Sequence, residues 1–141
     1  MLVCVIDGRG GGLGKRLISG LRDHVDAEHE IVGLGTNEAA TKAMRRAGAT
    51  RSGTGEQVIK QTVPTADVIL ASLNLVLPGA MLGEVTPDIA CAILNAPGHK
   101  LLLPITSAHV EVVRAEALTL ATVIGYAMQR VRVLLKSSAL A

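Results

Sequence analysis

Asp7, Gly8, Gly10, Gly11, Gly12, Leu13, Gly14 and Lys15 follow directly on the apolar run of residues 2–6. Gly8, Gly12 and Gly14 are spaced G-x-x-x-G-x-G, the short-chain dehydrogenase form of the dinucleotide turn. The commoner G-x-G-x-x-G is absent, because the position five after Gly8 is Leu13. A buried strand that empties into glycines at the mouth of a helix suits a phosphate-bearing ligand. Each glycine has a physical task. Gly8 lets the chain leave the strand sharply, Gly12 removes a Cβ where a pyrophosphate would approach, and Gly14 lets the helix pack closely on the sheet. Free N–H groups and the positive end of the helix dipole would face the anion. Lys15, a cation in the first turn, is unfavourable for the helix itself and so hints at another use.

Other chemistries fit less well. A P-loop needs a second glycine five residues before Gly14 and a hydroxyl after the lysine; Arg9 and Arg16 occupy those positions. Short-chain dehydrogenases move a proton with a Tyr-x-x-x-Lys pair. The single tyrosine gives Tyr126-Ala-Met-Gln-Arg130, and arginine does not shuttle protons at neutral pH. No His, Cys or carboxylate spacing suggests a metal site. Asp7 is the one candidate catalytic acid at the strand edge, where it could also bind a ribose or cap the turn. Glu56 and Glu84 are weaker candidates, and both fit first-turn helix positions. An acid about 20 residues after the glycines commonly binds the ribose hydroxyls of NAD; this chain offers Thr36 and Asn37 there, with Glu38 just beyond.

Composition bounds the alternatives. The 141 residues suffice for a single domain, and 49% are hydrophobic, which excludes disorder. Phe and Trp are absent, so the core is aliphatic and aromatic stacking on single-stranded nucleic acid is almost ruled out. A formal charge of +2 is too small to point to a polyanion. Cys4 and Cys91 read as buried thiols on separate elements. Residues 2–6 are too few, and lack a preceding basic region, for a signal peptide. No apolar stretch reaches membrane-spanning length, so no membrane partner is expected and the expected compartment is the cytoplasm.

The positioning elements follow from periodicity. Helices are predicted over 13–25 and 37–47, the second opened by Thr36 or Asn37 as N-cap and stopped by Gly48. Strands are predicted over 30–34, 49–52, 67–71 and 101–105, with a sixth over 109–113. Thr54 and Gln57 form a capping box for a brief helix ending before Pro64. Residues 72–83 form a connection too apolar for a simple surface loop, suggesting a flap over the ligand or an oligomer contact. Thr86-Pro87 opens a helix and Pro97-Gly98 closes it. A last apolar helix is expected over about 115–136. One stripe, Leu120, Val123, Ala127, Val131 and Leu134, would pack on the sheet, and the other apolar positions would meet a second subunit.

The set Ile6-Asp7-Gly8, Gly10-Gly11-Gly12, Gly14-Lys15, Leu34-Gly35-Thr36-Asn37, Ala40-Thr41 with Met44, Ala47-Gly48-Ala49, Thr54-Gly55-Glu56 and Gly83-Glu84-Val85-Thr86-Pro87 resembles an uncharacterised family of short bacterial Rossmann-like proteins, known only as a domain of unknown function. The resemblance covers residues 1–113 and brings no activity with it. The expected fold is α/β, three layers, with a mostly parallel doubly wound sheet of five or six strands in one domain, residues 1–141. Ligands of such sheets bind beyond the carboxyl ends of the strands. The expected contacts are Asp7, Gly8, Gly10 to Lys15, Gly35, Thr36, Asn37, Thr54, Ser72 and Asn74. These glycine, hydroxyl and amide groups suit phosphates and sugar hydroxyls. Three readings stay open: a sensor or accessory subunit that binds an NAD(P)-like nucleotide, a small oxidoreductase or nucleotide-using transferase with Asp7 at its centre, and a structural homo-oligomer whose glycine turn is empty.

Overall fold

The computed structural model describes residues 1–107 and 109–140, the side chains of Glu116 and of residues 138–140 excepted. Its first strand, β1 (Leu2–Asp7), is buried along all six residues. A strand buried at every position needs cover on both faces, and helices on the two sides of the sheet supply it. The strands β1, β2 (Glu30–Gly35), β3 (Arg51–Thr54), β4 (Val68–Ser72) and β5 (His99–Leu103) run in the order β3-β2-β1-β4-β5, with every pairing parallel. Successive β1 residues feed opposite cores. Val3 and Val5 pack with Leu17, Ile18, Met44 and Val131 from the helices α1 (Gly12–His24), α2 (Glu38–Arg46) and α5 (Leu120–Leu140). Cys4 and Ile6 pack with Ile59, Ile89 and Ile93 from α3 (Glu56–Thr62) and α4 (Pro87–Asn95). This is the three-layer doubly wound architecture. The chain reverses its direction of strand addition between β1 and β4, which makes the carboxyl edge of those two strands the natural ligand crevice.

Local signals set most boundaries. Asn37 caps α2, its side chain accepting a hydrogen bond from the Ala40 N–H at 2.9 Å, a contact worth about 1 kcal/mol. Thr86 caps α4 by accepting from the Ile89 N–H at 3.1 Å, with Pro87 at the first helical position.

Several expectations are corrected. The sheet has five strands; residues 109–113 form none. There the Val110 N–H turns back to the Ser107 carbonyl, Thr106 Oγ1 donates to the Val110 carbonyl, and Arg114 is left-handed at φ 76°. That curl removes the extended backbone a ladder needs. β3 begins at Arg51, because residues 48 and 49 are used closing α2 through Gly48 N–H to Arg45 and Ala49 N–H to Met44. β5 ends at Leu103, two residues before its expected end. The Thr54–Gln57 capping box does not form: Gly55, at φ 99°, caps α3 without a side-chain bond. The last helix starts at Leu120, where Thr119 Oγ1 accepts from the Thr122 N–H, and a single 3-10 turn precedes it at Ala115–Ala117. Its buried stripe is Val123, Ala127, Met128, Val131 and Leu135; Leu120 is exposed and Leu134 only half-buried. Cys91 is exposed, on the face of α4 opposite Ile89, Ala90 and Ile93. Cys4 is buried, and burial pushes its thiol up to about 12, against a small opposing pull from Arg51.

Candidate functional site

The end of β1 is closed by Asp7. Its Oδ1 accepts from the Gly8 N–H at 2.8 Å and its Oδ2 from the Gly14 N–H at 2.7 Å, tying the strand to the first turn of α1. The carboxylate is buried. Burial raises its pKa; the two N–H groups hold it down in part, and the nearby negative charge of Glu84 pushes it further up. With both oxygens engaged by backbone, Asp7 stands as the clasp of the turn.

The glycines sort into two kinds. Gly11 is the left-handed cap of α1 at φ 74°, and a side chain there would run into Ala40 Cα at 2.8 Å. Gly14 brings α1 against the sheet and α2: a Cβ would lie 2.7 Å from Met44 Sδ and 2.9 Å from Asp7 Cβ. Gly8 and Gly35 are likewise filled by neighbours, Gly8 by Thr36 and Met81, Gly35 by Thr41. Gly10 and Gly12 are different. Both are exposed, and nothing stands within 4 Å of where their Cβ would be. Among the described residues no acceptor is paired with the N–H groups of Gly10, Gly12 or Leu13. The open side of the turn is therefore a row of unpaired donors at a helix N-terminus, with Lys15 exposed one turn along.

The switch point adds a buried hydroxyl. In register Ile6 faces Ala71, which sets Ser72 beside Asp7 on the α1 face of the sheet. Ser72 is 1% exposed, and its Oγ has no hydrogen-bond partner. Asn74, just beyond, is committed: its Oδ1 accepts from the Ser107 N–H at 3.0 Å. Thr54 lies at the end of β3, where its hydroxyl donates to Glu38 at 2.9 Å and sits 2.7 Å from Thr41 Oγ1, stitching β3 to α2.

At the end of β2, Thr36 and Asn37 present donors. Both meet one acceptor from far along the chain. Glu84 Oε1 accepts from Thr36 Oγ1 at 2.6 Å, from Asn37 Nδ2 at 2.8 Å and from the Arg9 N–H at 3.0 Å. Burial acts to raise the pKa of Glu84, but the bonds from Thr36, Arg9 and Asn37, with the Arg9 charge, outweigh it and hold the group below the usual glutamate value. Glu84 stands two residues ahead of the α4 cap and not in a first helical turn. The connection before it crosses the β1 turn: Met81, Leu82 and Gly83 are consecutively left-handed at φ 57°, 58° and 87°. Met81 reaches Gly8. No local spacing signals this joint, whose side-chain partners lie 48 and 47 residues apart in the chain. Glu56, the other weaker candidate, accepts from Thr86 Oγ1 and ties α3 to α4.

Concavities lie elsewhere, among them two that line up aromatic or ionisable side chains. One of about 200 Å³ runs between β5 and α5, lined by Leu101, Leu103, Leu118, Tyr126 and Arg130. Another, of about 230 Å³, involves His24, Asp26, His29 and Arg132. In it Asp26, Glu28 and His29 bring donor atoms within 4.8 Å of one another, a grouping the sequence spacing did not flag; the acids are exposed and His29 is engaged by the Met1 amino group at 3.1 Å. Neither concavity reaches the glycine turn. Among the described residues, no helix is long and apolar enough to cross a membrane.

The chain belongs to the family described as a domain of unknown function (DUF3842), which it matches over residues 2–136. No curated protein matches it. Among solved structures it is similar to a dodecameric FMN-dependent UbiX-like decarboxylase from Escherichia coli O157:H7, with a TM-score of 0.52 and 13% identity over 98% of this chain and 94% of that one. At that identity the likeness is one of fold.

Proposed function

We propose that this DUF3842 protein binds a nucleotide, of the NAD(P) kind, with its phosphates on the open side of the 8–14 turn, and that it serves as a sensor or accessory subunit. One observation carries the reading: the N–H groups of Gly10, Gly12 and Leu13 have no partner among the described residues in a turn where nothing stands within 4 Å of a Cβ at Gly10 or Gly12, and the partnerless Ser72 hydroxyl lies next to Asp7 at the strand-order switch. Donors so arranged are unsatisfied without an anion or water, and the helix dipole favours the anion. The chemistry of the donor set fits a phosphate. Asp7 is engaged by backbone on both oxygens, which supports binding over acid–base turnover, since a general base must reach the proton it removes. Native mass spectrometry of the purified protein, followed by calorimetry with NAD⁺, NADP⁺, ADP and FMN, tests the reading. FMN belongs in the panel because the structural neighbour is described as FMN-dependent. Binding of none of the four overturns it.

The protein also assembles, on this reading, as a homodimer or larger homo-oligomer through α5. Leu118, Leu120, Tyr126 and Val133 are exposed on or beside that helix, next to the open edge of β5, and large exposed apolar side chains on one element favour an interface. The neighbour's dodecameric state supports the same reading. Sedimentation equilibrium at micromolar concentration checks it, a monomer mass being the contrary result.

A further inference from the structure

The doubly wound sheet leaves a carboxylate-shaped gap in the sequence. Where a nucleotide's ribose diol is usually met by an acid at the end of β2, this chain has the hydroxyl of Thr36 and the amide of Asn37. Neither can repel a 2′-phosphate, and both would donate to one. The fold brings a carboxylate to that place from another element. Glu84, on the connection between β4 and α4, crosses the β1 turn and docks on Thr36, Asn37 and the Arg9 N–H.

The docking is one-sided. All three bonds fall on Oε1. Oε2 receives none from the described residues, and it is not a buried orphan, so it opens to solvent. The result is a carboxylate whose position is fixed by three donors and whose second oxygen remains free to accept. The open space at Gly10 and Gly12 adjoins this turn, and the phosphate donors stand on the same loop. A vicinal diol needs an acceptor of this kind, at a fixed distance from a phosphate cradle. A phosphorylated 2′-position would instead bring a dianion toward the charge of Glu84, an unfavourable approach.

We propose that Glu84 is the ribose-recognition residue of the nucleotide site, accepting from the 2′- and 3′-hydroxyls through Oε2 and so selecting an unphosphorylated ribose. The inference rests on the nucleotide reading above and deepens it by naming the ligand class: a ribonucleotide without a 2′-phosphate. It makes Thr36 and Asn37 positioning residues, which act through the carboxylate they hold.

The test compares ADP, 2′-deoxy-ADP and 2′-phospho-ADP by calorimetry on the parent and on Glu84→Gln. Glutamine keeps an oxygen for Thr36, Asn37 and Arg9, so the loop stays docked, and replaces Oε2 by a donor. Unchanged far-ultraviolet circular dichroism confirms that the variant is folded. The parent is expected to bind ADP about tenfold more tightly than either analogue, the loss for one hydrogen bond to a charged group. In Glu84→Gln the affinity for ADP falls about tenfold and the discrimination against 2′-phospho-ADP disappears. Thr36→Val, which removes one of the three donors, reduces the discrimination while leaving Glu84 in place. If FMN or another member of the earlier panel binds but ADP does not, or if ADP binds with the same selectivity in parent and Glu84→Gln, this proposal is overturned and the nucleotide reading stands. If no nucleotide binds the parent, both fall.

Discussion

Gly12 and Gly14 are two residues apart in one turn, yet adding a single methyl to each should have opposite consequences. At Gly14 the new Cβ would lie 2.7 Å from Met44 Sδ and 2.9 Å from Asp7 Cβ. Met44 can swing its thioether aside. Asp7 cannot yield, because its carboxylate is bound to the Gly8 and Gly14 N–H groups. Overpacking of this kind costs about 1–3 kcal/mol. Displacing Gly14 from the Asp7 carboxylate forfeits part of a charge-assisted bond, about 1.5–3 kcal/mol if lost outright. Alanine returns up to about 1 kcal/mol of helix propensity. The balance is a destabilisation of about 2 kcal/mol. At Gly12 no atom stands within 4 Å and the residue begins α1, so Gly12→Ala should stabilise by about 0.4–1 kcal/mol through the unfolded chain. The two variants should therefore differ by about 3 kcal/mol. Urea unfolding followed by circular dichroism, with equal slopes, measures this directly; in melting temperature it amounts to about 3 °C per kcal/mol for a chain of this size. A Gly14→Ala protein as stable as the parent, or a Gly12→Ala protein destabilised by more than about 1 kcal/mol, would refute the packing argument.

Gly12→Val should stay folded and lose nucleotide affinity by at least about tenfold, a cost of one well-made phosphate contact; equal calorimetric affinity would remove Gly12 from the site. Acid should erase what Glu84 contributes. Its folded pKa is lowered, so its stabilisation is present above the ordinary glutamate value of 4.5 and is lost as pH falls through the lowered one. The stability advantage of the parent over Glu84→Gln should accordingly shrink between pH 7 and pH 3, and a constant advantage in urea titrations would contradict the assignment. A thiol reagent should modify only Cys91 in the native protein and both cysteines after unfolding, because Cys4 is buried with its thiol pushed up to about 12; mass spectrometry of the labelled chain decides. No hydride transfer should depend on Tyr126, which is exposed and has Arg130 in place of a lysine. Alcohol oxidation with NAD(P)⁺ that Tyr126→Phe abolishes would show otherwise.

What the sequence disclosed was local. The Asn37 cap and the Thr86-Pro87 opening are each decided within four residues and the β1 turn within eight, so their signals survive without the fold. The runs of residues 2–6 in β1 and 68–71 in β4 are apolar throughout because both faces are covered, and that is legible as well. The joint at Glu84 was not, since its partners lie 47 and 48 residues away in the chain and no spacing rule spans such a crossover. Residues 109–113 show the converse. Their short alternation suits a strand, but strand formation depends on a partner edge and a straight backbone, and the turn at Ser107 to Val110 removes the second. Cys91 was misread because apolar neighbours in sequence are not neighbours on a helix: Ile89, Ala90 and Ile93 take the buried face and leave the thiol outside. Among the glycines, sequence assigned Gly14 to packing correctly but could not separate Gly11, where a Cβ would press on Ala40, from Gly10, where a Cβ would meet nothing within 4 Å.

The isolation of Tyr126 has an optical consequence. With neither Trp nor Phe in the chain, all of its near-ultraviolet emission comes from one phenol. That phenol is 57% exposed and lines the groove between β5 and α5. The protein thus carries a built-in reporter at a single spot: quenching by iodide or acrylamide reads the solvent access of that helix face alone, without any label. A shift in quenching with protein concentration registers the covering of α5. Every other event in the molecule, the filling of the glycine turn included, is silent in that channel unless it moves this helix.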